Sequence, residues 1–169
     1  MTADNYLMLD GKKYELSPEL VNALRSIDPV PEKKSSFQWD TGENYWYIGS
    51  GGEAWVDANT GADLDEKRHA VANYCTDKAL MEQRALHETL NRLLWRYRET
   101  HGGDNAWNSQ NLQEHCYIYL HTQNSVLGVS YNDAHRVEGV VYFKDKVTAE
   151  AAIEEVVKPF MAAHPDFVW

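Results

Sequence analysis

The sequence has no long apolar run and is short of basic side chains. Its 169 residues include 26 acidic and 16 basic ones, which leaves a formal net charge of −10. A surface with that charge repels nucleic-acid phosphates and anionic membranes. No apolar stretch approaches the roughly 18 residues of a membrane span, and no basic region followed by an apolar core opens the chain. We therefore expect a cytoplasmic protein that binds neither membranes nor nucleic acids directly.

Cysteine is also scarce. The two cysteines, Cys75 and Cys116, are far apart and form no C-x-x-C motif. A disulfide framework or a paired-cysteine metal site would need more cysteines at closer spacings. Neither cysteine has flanking residues typical of a catalytic nucleophile, so the sequence predicts two reduced thiols buried as small apolar groups.

What the sequence does contain is an internal echo, in which three strand patterns are followed by a helix pattern. The strand patterns lie at residues 45–48, 53–57 and 71–74 in the first copy and at 117–120, 126–131 and 140–143 in the second. Helix patterns follow near Thr76 and near Asp145. An aromatic residue, Tyr74 or Phe143, stands two residues before each predicted helix start. This common offset predicts two structurally similar units.

Two helix patterns carry apolar stripes at the spacing of an α-helix. The first runs over residues 77–100 and the second over 146–162, where Pro159 must bend or end the helix. The apolar tail at residues 167–169 is expected to dock on the body. The predicted core residues from the two stripes are Leu86, Leu90, Leu93, Ile153, Val156 and Phe160.

The first part of the chain predicts a separate small arm. Asp10-Gly11 is a typical hairpin turn, and Ser17-Pro18 is a typical helix start. A polar tract at residues 32–36 separates this arm from the rest. The predicted fold is therefore α+β, with an arm at 1–36 and a body at 37–169. The body comprises two strand-strand-strand-helix units, at about 42–101 and 114–169, whose antiparallel sheets pack on the long helices.

The motifs that could carry chemistry are all incomplete. His87-Glu88 resembles the start of a zinc-protease motif, but Asn91 occupies the position of the second histidine. The glycine-rich residues 49–52 are followed by a strand pattern and not by a helix, which favours a hairpin turn over a phosphate-binding loop. The acidic tract at 57–66 lacks the ladder of a calcium loop and predicts a solvated loop. We expect no catalytic residue, no metal, no cofactor and no enzymatic activity.

Candidate binding residues are acidic and aromatic. The predicted binding set is Asp57, Asp63, Asp65, Glu66, Trp46 and Trp55. Carboxylates would select a basic partner, and exposed tryptophans would contribute most of the affinity. A second group, Arg84, Arg92 and Arg96, follows one face of the long helix together with Glu88. That face is either a solvated salt-bridged surface or a stripe that binds an anionic ligand.

Five segments carry a resemblance to a known group of proteins. They are residues 42–48 (GENYWYI), 52–54 (GEA), 65–74 (DEKRHAVANY), 141–143 (VYF) and 149–156 (AEAAIEEV). This pattern resembles small accessory proteins of phages and mobile elements of Gram-positive, often gut, bacteria. The resemblance covers about residues 42–169 and leaves the first 41 uncovered. It implies a phage setting and no established catalytic residue.

The resemblance and the charge together lead to a functional hypothesis. Phage accessory proteins of this size often switch off host defence, and an acidic, aromatic-rich domain suits an inhibitor that mimics DNA. We expect an anti-CRISPR protein that binds the basic nucleic-acid channel of an RNA-guided nuclease through protein–protein contacts. Two alternatives stay open: a sponge that sequesters a nucleotide immune signal, and a structural or assembly protein of the phage.

Overall fold

The computed structural model describes residues 6–26, 35–105, 107, 114–132 and 135–169, with side chains undescribed at 6–9 and 24–26. The chain divides into two units, residues 1–35 and 36–169, which places the boundary one residue before the predicted one. The described residues form helices and antiparallel sheets joined by turns and loops, so the α+β prediction is confirmed. Within these residues, no helix is long and apolar enough to cross a bilayer.

The first unit contains the predicted hairpin and short helix. Strand β1 (Tyr6–Leu9) pairs antiparallel with β2 (Lys12–Glu15). The turn residues Asp10 and Gly11 have φ angles of 48° and 74°, as a two-residue type I′ turn requires. Helix α1 (Pro18–Ser26) follows, and the Oγ of Ser17 accepts a hydrogen bond from the Leu20 N–H at 3.3 Å. The proposed linker at 32–36 lies mostly outside the described residues.

The second unit opens with a hairpin of β3 (Asn44–Ile48) and β4 (Ala54–Ala58). The predicted glycine-rich turn is confirmed, because the Gly49 N–H donates to the Glu53 carbonyl at 2.9 Å. Gly52 has a φ of 95°, and a Cβ there would lie 2.7 Å from the Thr89 hydroxyl. Glycine therefore lets the turn approach the long helix closely.

The predicted third strand at 71–74 is wrong. Residues 71 and 72 form a turn, and only Cys75 pairs with the hairpin, through a single antiparallel bridge to Trp46. The cause is Asn73, whose side-chain amide takes the place of a strand: it accepts from the Ile48 N–H at 2.7 Å and donates to the Ile48 carbonyl at 3.0 Å. The Asn73 side chain thus makes the hydrogen bonds to the Ile48 backbone that a third strand would otherwise have made.

The predicted loop at 57–66 is also wrong in its second half. Helix α2 (Asp63–Ala70) begins within it. Asp65 accepts hydrogen bonds from the N–H groups of Thr60 (3.0 Å) and Ala62 (3.2 Å), which anchors the start of the helix. A carboxylate in the first turn stabilises a helix, so the acidic composition that suggested a solvated loop supports a helix start instead.

The second echo unit has the predicted order of elements. A three-stranded antiparallel sheet, in the order β6-β5-β7, is formed by β5 (His115–His121), β6 (Val126–Asn132) and β7 (Tyr142–Phe143). The third strand comprises only the last two residues of the predicted 140–143 segment. Phe143 pairs with Cys116 on the central strand, as Cys75 pairs with Trp46 in the first echo unit.

A helix follows each of these paired residues at the same distance. Helix α3 (Lys78–Thr100) is capped by Asp77, and α4 (Lys146–Ala152) is capped by Asp145. Each capping carboxylate accepts from the N–H three residues on, at 3.1 Å in α3 and 2.7 Å in α4. The offset of two residues is therefore real, but in the first copy it runs from Cys75 to Asp77 and not from Tyr74 to Thr76.

The C-terminal helix contains a widened turn before its proline. Helix α4 continues through a π-helical turn (Ile153–Val157) into α5 (Lys158–Ala163). Pro159 has no N–H to donate and would clash with the carbonyl four residues earlier in a regular α-helix. The π turn directly precedes α5, and the helical residues continue past Pro159 to Ala163, so the helix does not end at the proline.

The core lies along α3, in two clusters. Leu90, Ile153 and Phe160 are buried as predicted. Leu86, Leu93 and Val156 are only half-buried and pack against the edge of the core. The buried face of α3 consists of Met81, Ala85, Leu90, Leu94 and Tyr97. The stripe is rotated from the predicted one because the first turns of α3 pack on the β3–β4 hairpin and the later turns on the second sheet and α4.

The C-terminal tail docks on α3, as expected. Phe167 is buried, and its ring packs against His87 with centroids 4.8 Å apart. The Gln83 side chain donates to the Asp166 carbonyl at 2.6 Å and accepts from the Val168 N–H at 3.0 Å. One glutamine therefore holds the tail backbone through both halves of its amide.

Candidate binding surface

The β3–β4 hairpin separates the two predicted tryptophans onto opposite faces. Side chains alternate along a strand, and directly paired residues share a face. Trp46 lies on the face that packs against Cys75 and Met81, so it is half-buried. Trp55 lies on the opposite face, paired with Tyr47. Trp46 therefore serves mainly as core, whereas Trp55 is available to a partner.

Trp55 is the most prominent aromatic residue of this surface. Its side chain is 56% exposed. It stands on β4, which pairs only with β3 among the described residues. The indole lies over Gly49, where a Cβ would come within 2.7 Å of the ring. The absence of a side chain at Gly49 therefore lets the indole approach the backbone of the turn closely.

A network centred on Arg68 supports this face from α2. The guanidinium lies 3.5 Å from the centroid of the Tyr47 ring. Its Nη1 donates to the Tyr45 hydroxyl at 2.6 Å and to the Asp57 carboxylate at 2.8 Å. The hydrogen bond from Arg68 keeps the pKa of Asp57 below its ordinary value. We call the surface formed by Tyr47, Trp55, Asp57 and Arg68 the Trp55 face.

Asp65 belongs to the fold and not to the exposed surface. It is 4% exposed and accepts from the Tyr45 hydroxyl at 2.7 Å and the Thr60 hydroxyl at 2.9 Å. These hydrogen bonds, the one from Tyr45 first, lower the pKa of Asp65 to about 2. Burial and the Asp65 carboxylate raise the pKa of Tyr45 to about 12. This buried pair fixes α2 to the hairpin.

The other two predicted acids are exposed on α2. Asp63 forms an ion pair with Lys67 at 2.5 Å, one turn along the helix. Glu66 is exposed and lies two positions before Arg68, which places it about half a turn around the helix from the hairpin. The four predicted carboxylates therefore do not form one cluster: Asp57 borders Trp55, Asp63 and Glu66 point to solvent, and Asp65 is internal.

Two of the three candidate arginines of α3 form ion pairs. Arg84 and Arg92 bind opposite oxygens of the Glu88 carboxylate, each at 3.1 Å. Arg84 also donates to the carbonyl of Ala72. Arg96 is exposed one turn further on. Two of the three arginines thus form a salt-bridged ladder with Glu88. This favours a solvated, salt-bridged surface over a stripe that binds an anionic ligand.

The incomplete zinc motif and the cysteines have structural roles. The Asn91 amide donates to the Gly139 carbonyl at 2.9 Å, which ties α3 to the segment before β7. Its neighbour His87 is held against Phe167. Cys75 and Cys116 are buried and unpaired, and burial raises the pKa of both thiols. Thiols of raised pKa are poor nucleophiles.

The tertiary structure also forms a groove that no sequence motif indicates. Its volume is about 620 Å³, and it lies between the β3–β4 turn, the first half of α3 and the chain after α5. The carboxylates of Glu53, Glu82 and Asp166 line it. These residues are far apart in sequence, so neither periodicity nor spacing could have connected them.

No family model, no curated protein and no solved structure matches this chain. The resemblance to phage accessory proteins therefore stays a prediction.

Proposed function

We propose that this protein is a non-catalytic inhibitor that binds a basic, nucleic-acid-binding protein. The observation that carries the proposal is Trp55, an indole that is 56% exposed on the β3–β4 hairpin. Exposed tryptophan supported by a rigid base is a typical anchor of a protein interface. The net charge of −10 directs such an anchor toward a basic partner.

The support beneath Trp55 suits this role. Arg68, Tyr45 and Asp65 are fixed by hydrogen bonds of 2.6–2.7 Å, so little side-chain freedom remains to be lost when a partner binds. The acids on α2, Asp63 and Glu66, add negative potential near the same hairpin. They would raise the association rate more than the final affinity.

The specific form of the proposal is an anti-CRISPR protein of phage origin acting in the bacterial cytoplasm. An RNA-guided nuclease holds its heteroduplex in a positively charged channel. An acidic surface with a protruding aromatic residue can occupy such a channel and exclude DNA. The protein would then act as a DNA mimic without binding nucleic acid itself.

The alternatives have less support in the geometry. A sponge for a nucleotide signal needs free arginines, yet Arg84 and Arg92 share the Glu88 carboxylate. A role in phage assembly remains a prediction that no particular surface favours. We therefore retain the inhibitor as the function that the geometry supports best.

The test is direct binding to a guide-loaded nuclease, measured by biolayer interferometry, together with an assay of target DNA cleavage. We expect a complex that loses affinity as salt rises, that target DNA displaces, and that blocks cleavage. Calorimetry with cyclic dinucleotides runs in parallel. Binding of the dinucleotides without binding of the nuclease would reject the inhibitor in favour of the sponge, and binding of neither would leave the assembly role.

A further inference from the structure

The groove between the β3–β4 turn and α3 has a mainly apolar floor. Ala54 from the hairpin and Ala79, Ala85 and Leu86 from α3 line its base. Its volume of about 620 Å³ lies within the range of roughly 300–1,000 Å³ that ligand sites occupy. The small side chains of Ala54 and Ala79 leave this space open beside α3.

Three acidic residues, Glu53, Glu82 and Asp166, line the groove around this floor. Glu82 forms an ion pair with Lys78 at 3.3 Å. Glu53 and Asp166 are exposed at the rim, and neither forms an ion pair with any residue of the described ranges. The groove therefore combines an apolar base with uncompensated negative charge, in a chain whose net charge is already −10.

This combination matches the chemistry of arginine. The aliphatic stem of an arginine side chain covers apolar surface while its guanidinium stays at the polar rim. A guanidinium also binds carboxylates through paired N–H groups, which a lysine ammonium cannot do. Ala79 and Leu86 would contact the stem, and Glu53 and Asp166 would accept from the guanidinium.

We propose that this groove receives an arginine side chain from an exposed basic segment of the partner protein. The proposal rests on the proposed function, because it assigns the groove to the same basic partner. It adds a specific pocket to the general attraction between an acidic protein and a basic one. It also predicts a preference for arginine over lysine that charge alone would not produce.

The experiment uses an N-acetylated, C-amidated hepta-arginine peptide and the matching hepta-lysine peptide as probes. Calorimetry measures their affinity for the full chain and for three variants. The first variant combines Glu53→Gln with Asp166→Asn, and the second is Ala79→Tyr, which fills the groove without a change in charge. The third combines Glu114→Gln with Glu138→Gln, which removes two exposed carboxylates outside the groove and is the matched control.

We expect the parent and the control with Glu114→Gln and Glu138→Gln to bind hepta-arginine alike and more tightly than hepta-lysine. The groove double variant and Ala79→Tyr should each bind hepta-arginine about tenfold more weakly, which corresponds to about 1.4 kcal/mol. Circular dichroism and thermal unfolding of each variant show whether the fold is retained.

Two results would overturn the groove assignment. One is an equal loss of affinity in the control with Glu114→Gln and Glu138→Gln and in the groove double variant; the other is normal binding by a folded Ala79→Tyr variant. Either result would leave general attraction to basic proteins intact, so the proposed function would survive. Failure of the parent to bind any basic protein, nuclease included, would instead remove the proposed function and the groove with it.

Discussion

The hydroxyl of Tyr45 donates to the Asp65 carboxylate at 2.7 Å and accepts from Arg68 at 2.6 Å. One phenol therefore connects β3 to two positions on α2 that lie one turn apart. Through Arg68 the connection extends to Asp57 on β4. The β3–β4 hairpin and α2 are consequently joined by a polar network that also holds the Trp55 face in place.

Removal of that hydroxyl should destabilise the protein. In Tyr45→Phe the buried Asp65 carboxylate loses one of its donors, and Arg68 loses an acceptor. We expect a loss of about 1–3 kcal/mol in the free energy of unfolding, measured by urea denaturation. Tyr47→Phe is the matched control, since the Arg68 guanidinium contacts the face of the Tyr47 ring. Equal stability of the two variants would contradict a structural role for the Tyr45 hydroxyl.

Acid should weaken the same network. The pKa of Asp65 is lowered to about 2 in the folded protein, from an ordinary value of 3.8. A lowered pKa in the folded state stabilises the protein fully above the unfolded value, and this stabilisation is lost as the pH falls from about 4 to about 2. Urea unfolding of the parent and of Asp65→Asn across this range isolates the contribution. A parallel pH dependence in both proteins would show that Asp65 is not responsible.

The core of α3 can be tested at two leucines one turn apart. Leu90 is 4% exposed, whereas Leu86 is half-buried. Leu90→Ala should lower the free energy of unfolding by about 2–5 kcal/mol, because it leaves a cavity that its neighbours cannot fill. Leu86→Ala should cost less, since its site can partly fill with water. If chemical denaturation gave Leu86→Ala the larger loss, the buried face of α3 would be misassigned.

Trp55 should dominate the affinity for a basic partner. Trp55→Ala is expected to weaken binding to the guide-loaded nuclease by at least about 2 kcal/mol, roughly thirtyfold, as for other anchoring tryptophans. Trp95→Ala is the matched control, because Trp95 is a partly exposed tryptophan on α3 with its own stacked arginine. Similar affinities for the two variants, measured by interferometry, would exclude Trp55 as the anchor.

The acids of α2 should act mainly on the rate of association. Reversal of Asp63 and Glu66 to lysine removes exposed negative charge while Asp65 stays intact. We expect slower association and a weaker dependence on salt, because screening acts on exposed charges over about 8 Å at physiological ionic strength. Reversal of Glu150 and Glu154, two exposed acids of the C-terminal helix, is the control for total charge. An equal slowing in both variants would show that the position on α2 does not matter.

The sequence predicted the elements in which the spacing of apolar residues matches the repeat of a helix or a strand. The long helix, the two hairpins of the body and the aspartate cap at Asp145 follow from spacing and capping chemistry. The segment at 71–74 has the composition of a strand, yet the side chain of Asn73 makes the hydrogen bonds instead. The burial of Asp65 could not be predicted from the sequence either, because its partners Tyr45 and Thr60 are identified only by the tertiary fold.

The candidate surfaces were predictable to different degrees. Trp55 and Asp57 are two residues apart on one strand, so it could be predicted that they share a face. The sequence could not show that Trp46 packs against α3 while Trp55 faces away, because strand alternation separates the two faces of a hairpin but does not show which face a helix covers. The groove lined by Glu53, Glu82 and Asp166 required three distant segments to meet.

Helix α3 contributes Met81 and Ala85 to one core cluster and Leu90, Leu94 and Tyr97 to the other. The two echo units therefore share one helix, and neither unit has a complete core without it. A fragment that ended near residue 101 would keep α3 but expose the side chains that the second sheet covers. A fragment that began near residue 114 would lack α3 altogether. The repeated pattern in the sequence thus gives one cooperative folding unit and not two separable modules.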